Sequence, residues 1–244
     1  MLPLCYVIQR KLNFCAMNLK LTTLLCIAIL LGTETFAQKL EYEKWGKGIN
    51  FATGDGLSTI KMSARIQNLF IYNQVLTPSG SSPTVQGLTR RARLKFDGQA
   101  FSPRIKYKIE LGLSNRDTKF SDDAGLVGGN ARIILDAVVK YEIAKGTQLW
   151  FGQTKLPGNR ERVVSSQKLQ FVDRSNVNSK FNIDRDFGFQ LRHKLKVGES
   201  IILLKESVSL GEGRNVIVTD NGGLDYTGRI EFLPMGEFTG KGDY

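Results

Sequence analysis

Hydrophobic and polar residues alternate one by one along most of this chain. In 60–67, Ile60, Met62, Ala64 and Ile66 oppose Lys61, Ser63, Arg65 and Gln67. In 91–100, Ala92, Leu94 and Phe96 oppose Arg91, Arg93, Lys95, Asp97 and Gln99. Ile105, Tyr107, Ile109, Leu111 and Leu113 then oppose Lys106, Lys108 and Glu110. The next segment sets Ile133, Leu135, Ala137, Val139, Tyr141 and Ile143 against Arg132, Asp136, Lys140 and Glu142, and a shorter one covers 147–156. Phe187, Phe189, Leu191, Leu195 and Val197 oppose Gln190, Arg192, Lys194 and Lys196, and Leu224, Tyr226, Ile230 and Phe232 oppose Asp225, Thr227, Arg229 and Glu231. A period of two predicts strands whose two faces meet different environments. Segment 200–210, apolar on both faces from Ile201 to Leu204, brings the expectation to eight strands with no substantial helix.

The connections alternate as well. Ser102-Pro103, Ala144-Lys145-Gly146 and Gly198-Glu199 are short turns, whereas 73–87, 115–130, 157–185 and 211–222 are long polar links. Short turns at one rim and long loops at the other predict an antiparallel transmembrane β-barrel of the outer-membrane kind. Phe70, Tyr72, Phe101, Tyr141 and Phe187 stand near strand ends, where aromatic girdles belong. A soluble β-sandwich would share the alternation, with the apolar face as its core. The loop asymmetry favours the barrel.

Charge separates the two faces further. The chain has 34 Lys and Arg against 23 Asp and Glu, a net charge of +11. On four predicted strands the polar face carries Lys61, Arg65, Arg91, Arg93, Lys95, Lys106, Lys108, Arg192, Lys194 and Lys196, opposed only by Asp97 and Glu110. Burying unpaired charges costs several kcal/mol each, so an interior lined by this face must hold water. Eight strands enclose only their own side chains, and water-filled channels need about 16–18. The strands are therefore expected to form about half of a 16–18-stranded barrel. The ending Phe238 to Tyr244 shows no alternating closing strand, so the chain is expected to be truncated at its C-terminus.

The three cysteines, at positions 5, 15 and 26, fall in a stretch that reads as an export leader. From Met17 a short basic start precedes the apolar run Leu21 to Leu31 and small residues up to Ala37. That order predicts a signal peptide over 1–37, cleaved before Gln38, with 1–16 an over-extended start. The run is too short for a spanning helix of about 20 residues. Residues 38–57 are expected to be an N-terminal periplasmic segment and 58–244 the partial barrel. Without the leader, 31 basic and 22 acidic residues remain, a net charge of +9. The mature chain has no cysteine, so no disulfide or thiolate metal site is expected.

Phe151-Gly152-Gln153-Thr154-Lys155-Leu156-Pro157-Gly158-Asn159-Arg160-Glu161-Arg162 continues to Ser165-Ser166, Leu169-Gln170-Phe171-Val172-Asp173-Arg174-Ser175 and Asp184-Arg185-Asp186-Phe187-Gly188. This block resembles the phosphate-selective porin O and P family in its Bacteroidetes branch. Gly222 to Arg229 and Thr239 to Tyr244 resemble it too, so the likeness spans most of 58–244. It implies an outer-membrane, homotrimeric porin in outer-membrane lipid, passing small inorganic anions such as phosphate by passive diffusion. By chain order, 157–185 is the external loop that folds into many porin lumens. The expected anion-binding constriction is Arg160, Arg162, Lys168, Arg174 and Arg185 of the loop with Arg91, Arg93 and Lys95 of the wall. Arginine offers paired planar donors that suit phosphate oxygens. Alternatively, the interleaved acids Glu161, Asp173, Asp184 and Asp186 pair with these arginines and fix the loop.

Other functions find little support. His193 is the only histidine, so neither a metal triad nor a Ser-His-Asp relay can be assembled, and no enzyme, cofactor or metal is expected. Gly46 to Gly56 lacks the Lys-Ser/Thr of a phosphate-cradling loop. Export sets nucleic acid aside as a partner. The alternative is a small outer-membrane β-barrel anchor or adhesin without channel activity.

Overall fold

The computed structural model describes residues 39–42, 48–78, 80–114, 117, 132–171, 173–219 and 222–238. The leader expected over 1–37, the ending 239–244, and the link 115–130 apart from Asp117 lie outside the described residues.

Ten strands form one antiparallel sheet in chain order. They are β1 (Lys39–Tyr42), β2 (Ile49–Ala52), β3 (Thr59–Thr77), β4 (Gly80–Ala100), β5 (Ser102–Gly112), β6 (Ile134–Ala144), β7 (Thr147–Lys155), β8 (Arg185–Val197), β9 (Ser200–Ser209) and β10 (Asp225–Leu233). Among the described residues the helices are the short segments α1 (Arg160–Val163) and α2 (Asn176–Lys180). Each strand pairs with the next and β1 does not meet β10, so the sheet is open.

Two of the ten strands come from the stretch expected to precede the barrel. Tyr42 pairs with Ile49, and Ile49 in turn with Met62 of β3. Four-residue strands are too short to show a period, which is why the eight-strand reading passed over them. The link expected over 73–87 is instead the far end of a hairpin, since β3 and β4 stay paired out to Thr77 and Gly80. Phe70, Ile71, Tyr72, Val75 and Val85 carry strand preference through it, although their alternation has lapsed.

Register irregularities re-aim two residues. Gln67 pairs with Arg91 but Asn68 with Thr89, leaving Arg90 as an extra residue on β4. Such a bulge turns consecutive side chains to one face. On β6, Leu135 was expected on the apolar face. The shift at Glu110–Leu111 instead pairs Ile134 with Leu111 and Asp136 with Glu110. Ile134 takes the apolar side, and Leu135 is buried at 1% exposure on the other.

The apolar face has no cover among the described residues. Ile66, Phe189 and Ile230 are 74%, 52% and 76% exposed. On it Phe151 packs edge-on to Phe187 at 5.3 Å and against Phe189 at 4.6 Å. A sandwich would bury this face, so that alternative falls. The buried apolar residues Leu135, Leu156 and Val164 belong instead to the opposite side, where the β7–β8 loop lies. Gly152 and Gly188 face each other across β7 and β8. A Cβ on either would stand about 2 Å from a neighbouring carbonyl, 2.2 Å from Ala137 O and 2.1 Å from Val208 O, so both positions need glycine.

Candidate functional site

The loop between β7 and β8 builds the site. Its ends are clamped where Leu156 N donates to Asp184 O at 3.0 Å. Asn159 caps α1 by accepting from Arg162 N at 2.8 Å, and Ser175 caps α2 by accepting from Asn178 N at 3.1 Å. Asn and Ser are the residues that satisfy a helix's first amides. The Glu161 carboxylate joins the two turns, accepting from Ser175 N at 2.6 Å and Ser175 Oγ at 2.7 Å. Arg174 Nε and Nη2 donate to the carbonyls of Glu161 and Val164, and Lys155 Nζ to that of Arg162 at 2.8 Å.

The loop reaches both flanks of the polar face. Towards β3 and β4, Arg65 Nη2 donates to Ser166 Oγ at 3.0 Å, and Arg90 pairs with Asp173, which Arg91 approaches at 3.8 Å. Towards β10, Arg229 Nη1 donates to Gly158 O at 2.6 Å. Arg160 lies 4.0 Å from Glu231 and stacks over the Phe238 ring. The loop is thus fastened across the polar concavity rather than projecting away from it.

Between loop and sheet lies a cleft of about 870 Å³. Among the described residues it is lined by twelve lysines and arginines and five carboxylates, a surplus of seven positive charges. The carboxylates are spent locally. Asp136, 1% exposed, accepts from Lys108 Nζ at 2.7 Å, Arg185 Nε at 3.1 Å and Thr154 Oγ1 at 2.9 Å. Asp117 pairs with Arg93 and lies 3.5 Å from Arg214, and Asp184 pairs with Arg162.

Charges in the loop reflect this surplus. Burial would raise the Asp184 carboxyl, but the Arg162 hydrogen bond and the charges of Arg162, Arg185 and Lys155 hold it below its ordinary range. Burial and the neighbouring Arg162 lower the Arg174 guanidinium.

Of the residues expected from sequence, Arg91, Arg93, Arg162, Arg174 and Arg185 come together in this cleft. Arg160 does not, being turned to Glu231 and Phe238. Lys168 is exposed outside the lining. Lys95 pairs with Asp97 at 2.6 Å and lines a smaller hollow of about 300 Å³ with Lys106, Lys108 and Lys140. The expectation of internal loop pairing also has its counterpart in Arg162–Asp184 and in Arg185–Asp184 at 3.5 Å. Asp173 departs from that pattern by crossing to the wall. Sequence reasoning left Arg90, Lys140, Trp150, Lys155 and Arg214 out of the site. Lys140 and Trp150 were open to it, since they share the phase of the other inward residues; Arg90 depends on the bulge and Arg214 on loop placement.

A family model, phosphate-selective porin O and P, matches residues 60–237. No curated protein matches the chain.

Proposed function

Because the chain belongs to the phosphate-selective porin O and P family, a family of channels rather than enzymes, and is thereby an outer-membrane porin, we propose that it passes small anions by passive diffusion along its polar face, phosphate among them. The observation that carries this reading is the cleft's surplus of seven positive charges beneath a loop fastened over the same face. Such a surplus raises the local concentration of anions and repels cations. Arg91, Arg93, Arg162, Arg174 and Arg185 form the narrow stretch, with Lys95 further along the wall. Arginine's paired donors favour phosphate over a halide there.

The uncovered apolar face meets outer-membrane lipid, and the sheet is part of the wall of a wider barrel, closed so that no strand edge faces lipid. The leader at 1–37 directs export, and three copies assemble. Single-channel currents of the full chain in planar bilayers test the narrow stretch. Arg162→Ala combined with Arg174→Ala is expected to lower the anion-to-cation permeability ratio severalfold, and Arg160→Ala to leave it unchanged. Equal ratios in the wild type and the double variant would contradict the assignment.

A further inference from the structure

Trp150 stands on the polar face between two cations. Lys140, its register partner on β6, places Nζ 4.0 Å from the ring centroid. Arg192, from β8 on the other side, places its guanidinium carbon 3.5 Å from it. Hydrogen bonds fix the group: Trp150 Nε1 donates to Gln148 Oε1 at 2.9 Å, and Arg192 Nη2 to Gln190 Oε1 at 2.7 Å. Gln190 is itself buried and donates to Lys155 O at 3.0 Å.

Neither Lys140 nor Arg192 has a carboxylate within ion-pair distance among the described residues. In this they differ from Arg93, Lys108 and Arg185, each of which has one. An aromatic face stabilises a nearby cation through its quadrupole, yet leaves the full charge in place. The ring's rim is the positive part of that quadrupole. With cations over the ring from both flanking strands, its rim is what remains for the cleft, which all three side chains line. The arrangement therefore presents two cations without a directly paired carboxylate among the described residues, and a rim of the same sign, at one spot.

We propose that Lys140, Trp150 and Arg192 form a discrete oxyanion subsite on the wall, separate from the loop's arginines. This rests on the anion-channel reading and adds to it a resting place with a stated preference. The ligand is an anion with two or more oxygens, a phosphate, sulfate or carboxylate, accepting from Lys140 Nζ with one oxygen and from Arg192 with others. Charge-assisted bonds of about 2.8 Å to both groups suit such a ligand. A halide offers one centre in place of separate oxygens and fits the pair less well.

Trp150 supplies its own reporter, since Trp45 is the only other tryptophan. The experiment uses the full chain with Trp45→Phe in detergent micelles, titrated at constant ionic strength with inorganic phosphate, sulfate and chloride. Phosphate and sulfate are expected to give a saturable change in Trp150 emission, and chloride none. Lys140→Gln and Arg192→Gln are each expected to weaken the midpoint about tenfold or more, given the strength of charged hydrogen bonds. Lys168→Gln, exposed and outside the cleft lining, is expected to leave that midpoint in place, and retained β-sheet circular dichroism shows that the Lys140→Gln and Arg192→Gln proteins remain folded. Absence of a saturable change, an equal response to chloride, or midpoints untouched by both Gln variants would overturn the subsite. Reversal potentials measured on the same protein separate the failures: an anionic potential without the Trp150 response sinks the subsite alone, and a cationic one sinks the channel reading beneath it.

Discussion

Asp136 shows how a cationic wall stays folded. It is 1% exposed and takes hydrogen bonds from Lys108, Arg185 and Thr154, which come from β5, β8 and β7. The strength of this arrangement lies in the cost of breaking it, because removing one member leaves the others as buried, uncompensated charges. Asp136→Ala is accordingly expected to lower stability by about 3–5 kcal/mol, read as urea unfolding in detergent followed by circular dichroism. An unchanged midpoint would show that Lys108 and Arg185 find water instead. Alternation along 132–143 placed Asp136 on the polar face, and the structure agrees. The same alternation misplaced Leu135, because period two holds only while the register is unbroken and the shift at Glu110–Leu111 breaks it. Arg90 was lost to the same kind of event at Gln67–Asn68.

At the scale of elements, the β7–β8 loop was legible as a basic segment with interleaved acids, and its capping residues Asn159 and Ser175 were visible as residue types. What they cap was not, since one-turn helices leave no periodic signal. The side chains that fasten the loop are long-range partners from β3, β4 and β10, which no local pattern reveals. The loop's acids also set its pH response. Asp184 titrates below its ordinary value of 3.8, the carboxylate being the form that Arg162 holds. A carboxyl whose folded pKa is depressed contributes its stabilisation above its unfolded value and loses it as pH falls through the folded one. Single-channel current noise should therefore stay constant as pH falls from about 6 to about 5 and rise only below about pH 4. Asp184→Asn should show the raised noise at every pH. A transition between about pH 6 and 7 would point to some other group.

Taken whole, the molecule is a sheet with two unlike faces, and that division was the most legible property of the sequence. It needs only the sign and phase of side chains, repeated over many strands, so single irregularities do not erase it. Strand ends and number were less legible: β1 and β2 are too short to alternate, and the far end of the β3–β4 hairpin is uncharged and does not alternate from Asn68 to Thr89. On the proposed function, the cationic face borders water through which ions pass while the apolar face meets lipid. The reversal potential of the full chain in a planar bilayer under a potassium chloride gradient tests this most directly. A potential whose sign shows chloride crossing faster than potassium is the predicted result, and one of zero or of the opposite sign would contradict it.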